Sequence, residues 1–431
     1  MKAISTTSDA QRSRSLHQLG VVCGLVAGAW LGLAEAPTKL VTMGFSPFVI
    51  TVGMVAGVFV ARWTVPMLLK GTAYVWLDVR EKPHLIVWGV LAGMLWAVAN
   101  TLTVFAIRNV GLSIAFPLWN INSLIGLFWG WLLFNELRGS GGRERAKVLG
   151  GATAIVIGAC LTALATAHSE AGPSRAAVMG ILAALGAALL WGTMYIPYRK
   201  AYISGMNPLS FVTLFTFGEL GTTIVLGASF HGGLGGLSSE LIRAKPVMFW
   251  LFLGGFCWVL GDLFQHYAAK YLGIGRGIPL SNTNQLWGLA WGALVFGELS
   301  TLGLTGQVYI VAGSLVMIAG VLAISRAKAP PSEAVFAQHA MERECDRYGL
   351  NRDRVAATMR GEDRLADEAP PRRWWELVLT AAAFGAFVWL AFHATRPEIE
   401  LNLPWLTGLT VAVVAILVLG GTLLWKRTRF S

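Results

Sequence analysis

Most of this chain runs in apolar stretches long enough to cross a bilayer. A spanning helix needs roughly 20 such residues. Twelve stretches qualify, near 19–36, 47–69, 85–106, 112–135, 147–166, 177–196, 208–229, 247–268, 275–297, 305–324, 374–394 and 403–425. Short polar loops separate the first ten, and a longer charged segment precedes the last two. The pattern predicts an all-α integral membrane protein.

The first ten stretches contain one unit twice. Residues 117–137 and 279–299 align without a gap at a shift of 162, with 13 identities including Pro117/Pro279, Asn120/Asn282, Asn122/Asn284, Gly126/Gly288 and Glu136/Glu298. The same shift pairs Gly93 with Gly255, Trp96 with Trp258 and Gly111 with Gly273. Each copy holds five spans. Because five is odd, the second copy enters the membrane from the opposite side, and the repeats have inverted topology. Duplicated membrane units of this size are a signature of transporters.

The charges between spans agree with that topology. With the N-terminus inside, the inner segments carry Lys2, Arg12, Arg14, Lys70, Arg80, Lys82, Arg138, Arg143, Arg145, Lys147, Arg199, Lys200, Lys270 and Arg276. The outer loops carry Lys39, Arg108, Arg175, Arg243, Lys245 and Arg396. Lys and Arg favour cytoplasmic loops, so both termini are expected to face the cytoplasm in a cell membrane. The expected organisation is a cytoplasmic N-terminus (1–18), two five-helix repeats (19–166 and 177–325), a charged cytoplasmic segment (326–373) and a C-terminal transmembrane hairpin (374–431). The first apolar run has full span length and leads straight into others, unlike a cleavable signal peptide.

Of the 431 residues, 55% are hydrophobic and 13% charged, against about 25% charged in soluble domains, and mean hydropathy is +0.60. The net charge of +11 raises a nucleic-acid reading, but no basic cluster is interleaved with surface aromatics. Cys23, Cys160 and Cys257 lie in apolar spans and Cys345 in the charged segment. They read as small buried hydrophobes. No nucleotide-binding loop, metal-ligand spacing or nucleophile–base set occurs, so neither an enzyme nor a cofactor is expected.

A polar side chain in hydrocarbon is costly and usually faces the bundle interior or a water-filled cavity. Asn122, Gly126 and Gly130 share one helix face, as do Asn284, Gly288 and Gly292, which suits close helix packing under an amide. Asn120 and Asn282 point elsewhere, toward a cavity, and Gln285 lies beside them. Trp96 and Asn100 share a face, and Trp258, Asp262 and His266 share the corresponding one. An aromatic ring beside carboxylate, amide and imidazole suits a polyol, whose C–H faces meet rings and whose hydroxyls need donors and acceptors. The alternative is an interfacial tryptophan with a polar helix end.

Glu219 in the seventh span and Glu35 late in the first have no acidic counterpart in the other repeat. A carboxyl group isolated in a low-dielectric cavity titrates nearer neutrality and can load and release a proton. Glu219, Asp262 and Glu35 are therefore candidate proton carriers. The competing reading of Glu219 is a buried ion pair with Arg62. Glu136 and Glu298, at span ends, read as structural. The charged segment reads as one or two solvated amphipathic helices broken near Gly349–Asn351.

Residues 19–325 resemble the drug/metabolite transporter superfamily, and within it the glucose/ribose porter family of sugar transporters. The residues carrying this are Trp96, Asn100, Gly111, Pro117 and Glu136, matched by Trp258, Gly261-Asp262, Gly273, Pro279 and Glu298. Rhamnose–proton symporters and plant ureide permeases share much of the pattern. Ala99 stands where the family usually has glycine, and residues 326–431 have no counterpart there. The resemblance implies a ten-helix core and uptake of a monosaccharide by proton symport. The residues expected to bind substrate, from their chemistry and placement, are Trp96, Asn100, Asn120, Asn122, Trp258, Asp262, His266, Asn282, Asn284 and Gln285. A proton-coupled exporter of drugs or metabolites, and a non-transporting scaffold or sensor, are the alternatives.

Overall fold

The computed structural model describes residues 2–41, 44–167, 174–328, 330–362, 365, 368–395 and 399–431. Among them there is no strand. The helices are α1 (Lys2–Lys39), α2 (Pro47–Leu69), α3 (Thr72–Glu81), α4 (Leu85–Val110), α5 (Leu112–Trp119), α6 (Asn122–Phe134), α7 (Gly142–Ala167), α8 (Arg175–Ile203) and α9 (Pro208–Phe230). There follow α10 (Leu234–Arg243), α11 (Met248–Leu272), α12 (Ile274–Ser281), α13 (Asn284–Ala290), α14 (Leu304–Ser325), α15 (Pro331–Tyr348), α16 (Arg352–Met359), α17 (Trp374–Phe392) and α18 (Leu403–Thr428). Among the described residues, eleven helices are long and apolar enough to cross a membrane, counting α5 and α6 as one. Arg396, expected in an outer loop, lies outside the described residues.

The expected span at 275–297 is not one helix. It divides into α12, α13 and a π-helical turn, Trp291–Val295. The stretch 112–135 breaks at the matching place, after Asn120. Pro117 and Pro279 lie in the last turn before each break, where the missing N–H frees a carbonyl one turn back. The chain restarts two residues past Asn120 and Asn282.

The short helices begin at Gly111 (φ 75°) and Gly273 (φ 83°), conformations that L side chains avoid. Glu298 accepts from Leu112 N (3.1 Å), Ser113 N (2.9 Å) and Ser113 Oγ (2.8 Å). Glu136 accepts from Ile274 N (3.2 Å) and Gly275 N (2.7 Å) and pairs with Arg199 Nε at 3.1 Å. Each carboxylate thus neutralises the positive end of a short helix in the other half of the chain.

Packing between the halves is reciprocal. α1 lies along α11 and α8 along α4, while α2 packs on α11 and α9 on α4. Glycines set these seams. A Cβ at Gly255 would lie 1.9 Å from Met54 O, and one at Gly93 would lie 2.0 Å from Phe215 O. α2 and α9 cross at the centre, and α7 pairs with α14 at the side.

α17 and α18 pack on separate flanks rather than forming a self-contained hairpin. Phe387 of α17 meets Phe249, Phe252 and Phe256 of α11. Trp30 Nε1 of α1 donates to Val413 O of α18 at 3.1 Å. Each apolar helix covers a different part of the core's side.

The charged segment is docked along one face, and its outer face is exposed. α15 ends at Gly349, and α15 and α16 lie across the end of the bundle that carries Lys82, Arg199 and Arg276. Glu333 bonds Arg276 and accepts from Leu137 N at 3.0 Å. Glu344 bonds Lys200, and Tyr348 stacks on His84 at 3.6 Å. Arg354 joins Glu81 and, at 2.6 Å, Glu368. The segment's acids find counter-charges on the basic loops beneath. Glu333→Ala should strand buried Arg276 and the Leu137 N–H, costing about 1–3 kcal/mol, read as a lower thermal midpoint in detergent. An unchanged midpoint would show that the docking adds no stability.

Candidate functional site

Where α2, α9 and α11 meet, the seams press three ionisable side chains together. Arg62 Nη2 donates to Glu219 Oε1 at 3.1 Å and to Asp262 Oδ2 at 2.9 Å. Arg62 and Glu219 are 0% exposed and Asp262 is 1% exposed. The Phe215 ring lies 4.1 Å from the guanidinium carbon, a cation–π contact. Two carboxylates share one guanidinium, so with both acids ionised and the imidazole neutral the cluster holds one uncompensated negative charge. Nε and Nη1 of Arg62 and Oε2 of Glu219 are buried without a hydrogen-bond partner.

α8 supplies the other wall. Trp191, Tyr195, Tyr198 and Tyr202 recur at i, i+4, i+7 and i+11 along one buried face. Tyr198 Oη donates to Asp262 Oδ1 at 3.3 Å and its ring stacks on His266 at 4.0 Å. Tyr202 Oη bonds His266 Nδ1. His266 Nε2 lies 3.2 Å from Asp262 Oδ2, within ion-pair reach but out of hydrogen-bond alignment.

One turn along α11 from Asp262, the tryptophans form a row. Trp96 meets Trp258 edge-on at 5.4 Å, Trp258 stacks on Trp191 at 5.4 Å, and Trp191 meets Trp119 at 5.9 Å. The indole N–H groups of Trp96, Trp191 and Trp258 are buried and unpartnered. Asn100 Nδ2 reaches Met54 Sδ at 3.5 Å, and its Oδ1 has no partner. The site therefore combines ring faces, free N–H donors, a free amide oxygen and a charged cluster in one buried column.

The four asparagines form a latch between the helix breaks. Asn120 Nδ2 donates to Asn284 Oδ1 (2.6 Å) and Asn282 O (3.4 Å). Asn282 Nδ2 donates to Asn120 O (2.7 Å) and Asn122 Oδ1 (2.9 Å). Their amides serve the broken backbone and each other, and Asn120 Oδ1 is buried without a partner.

The structure brings Trp96, Asn100, Trp258, Asp262, His266 and Glu219 into one region. Gln285 points away, its Nε2 donating to Ser314 O at 3.3 Å. Glu35 is buried in the last turns of α1 with neither oxygen hydrogen-bonded, and it does not join the Arg62 cluster. Sequence reasoning missed the α8 face. Its signal was the heptad-like spacing from Trp191 to Tyr202, which the repeat comparison did not reveal.

No family profile matches the chain. It is 26% identical over 318 residues to a protein of Lactiplantibacillus plantarum named "Putative sugar uptake protein", covering 71% of this chain and 94% of that one. A protein of the same designation from Streptococcus pyogenes serotype M1 is 34% identical over 123 residues, 25% of this chain and 41% of that one. Another from Lactobacillus johnsonii is 38% identical over 86 residues, 19% of this chain and 29% of that one.

Proposed function

We propose that this multi-pass membrane protein is a secondary transporter importing a monosaccharide by proton symport, with two inverted five-helix repeats alternating access to a central site. The observation that carries the reading is the buried Arg62–Glu219–Asp262 cluster. Arg62 belongs to the first half and both acids to the second, so the ion pairs join the two bodies that would rock against each other. An uncompensated buried charge is costly. A proton on Glu219 or Asp262 balances the cluster and leaves Arg62 paired to the other acid.

The sugar assignment draws on the relatives' designation and on the tryptophan row. Ring faces suit sugar C–H surfaces, and the free indole N–H groups and Asn100 Oδ1 can bond hydroxyls. The basic end is taken as cytoplasmic. Glu35, buried without a counter-charge, favours the second reading, a proton-coupled exporter of cationic compounds.

The test is uptake of labelled glucose, ribose and rhamnose into proteoliposomes, with and without an inward proton gradient. Wild type should accumulate one sugar only with the gradient. Glu219→Gln or Asp262→Asn should lower gradient-driven accumulation to the level seen without the gradient, while sugar exchange at equal pH persists. Sugar movement indifferent to the gradient would reject symport. No movement of any sugar, with drug efflux abolished by Glu35→Gln, would favour the exporter.

A further inference from the structure

On the side of the bundle, away from the central column, α6 and α7 diverge and leave a groove of about 810 Å³. Its walls are apolar, with Leu127, Phe128 and Trp131 from α6 and Leu149, Ala152 and Val156 from α7. Phe128, Trp131, Leu149 and Val156 are exposed at 44–68%, so the groove opens outward. Its volume lies within the range of small-molecule sites. At the basic end it closes on Ser140 and Arg145.

That end is strongly cationic. Arg138 lies over the Trp131 ring at 5.3 Å. Arg145, in the first turn of α7, lines the groove, while Arg143, two residues earlier, leaves the helix on the opposite side; both are exposed and make no ion pair or side-chain hydrogen bond with the described residues. There is room beside them, because a Cβ at Gly141 or Gly142 would meet no atom within 4 Å. The matching positions in the second half, at the same shift of 162, are Ser300, Thr305 and Gln307, so this charge is not a by-product of the duplication.

We propose that this groove is a binding site for an anionic phospholipid of the leaflet at the basic end. Its acyl chains lie along Phe128, Trp131, Leu149 and Val156, and its phosphate sits at the basic rim against Arg145, beside Arg138 over the Trp131 ring. Charge complementarity selects this occupant. An apolar helix of a second copy would fill the walls and leave Arg138 and Arg145 without a counter-charge, whereas an anionic lipid satisfies walls and rim together.

The full chain in nanodiscs of phosphatidylcholine, with or without phosphatidylglycerol, tests this by native mass spectrometry and thermal unfolding. Wild type should retain phosphatidylglycerol in preference to phosphatidylcholine and unfold at higher temperature when it is present. Arg138→Gln/Arg145→Gln should weaken retention roughly tenfold or more. Ala152→Trp, which fills the groove and keeps both arginines, should also lose it. Arg175→Gln, at the other end of the bundle, should retain the lipid as wild type does. Equal retention of both lipids would overturn the proposal, as would full retention by the double variant or by Ala152→Trp. So would an equal shift from inorganic phosphate alone, or a dimer whose formation excludes the lipid.

Discussion

Arg62→Met is expected to destabilise the protein by about 3–5 kcal/mol, the range for removing one member of a buried ion pair. Methionine matches the stem of arginine but leaves Glu219 and Asp262 facing each other with no counter-charge in a region with 0–1% exposure. Either acid can be neutralised at lower cost, since Arg62 keeps the other. Adding Glu219→Gln and Asp262→Asn to Arg62→Met should therefore restore most of the lost stability without restoring proton-driven uptake. Thermal unfolding in detergent and proteoliposome flux measure the two effects separately. If Arg62→Met unfolds like wild type, or the triple variant stays as unstable as the single one, the charge argument fails.

The second large effect is expected at the glycine seams. Gly255→Val would put a Cβ 1.9 Å from Met54 O and 2.8 Å from Val58 N, and Gly93→Val one 2.0 Å from Phe215 O. Backbone carbonyls cannot swing away as side chains do, so the helices must separate. Overpacking of this kind costs about 3 kcal/mol, sometimes more. Asp262 lies two turns beyond Gly255 on α11, so separating α11 from α2 also pulls it from Arg62, and uptake should fall together with stability. Gly221 and Gly385 provide the contrast, since an added Cβ there meets nothing within 4 Å. Alanine at either should be neutral or stabilise by up to about 1 kcal/mol through helix propensity. Equal thermal midpoints for the seam and control variants would show that the seams tolerate separation.

Much of the architecture was legible along the chain. The length of each apolar stretch sets which residues form spanning helices, and the duplication pairs Glu136 with Glu298 and Gly93 with Gly255 before any coordinate is known. Trp96, Trp258 and Asp262 stood out because a polar or aromatic group in an apolar span needs a reason. Arg62 was visible as a candidate neighbour of Glu219. Its simultaneous bond to Asp262 was not, because those contacts span 157 and 200 residues.

The sequence alone determined the apolar spanning stretches, their number to within the broken ninth, and the identities that match the two halves. These follow from local hydrophobicity and from identity at a fixed shift. The tertiary structure decided which buried groups meet: Arg62 between two acids, the α8 aromatics beside His266, the asparagine latch and the docking of α15 on the basic loops. Each depends on where distant helices touch, and that is set by glycine-permitted backbone contacts and by the cost of leaving a charge or a broken carbonyl unpaired in hydrocarbon.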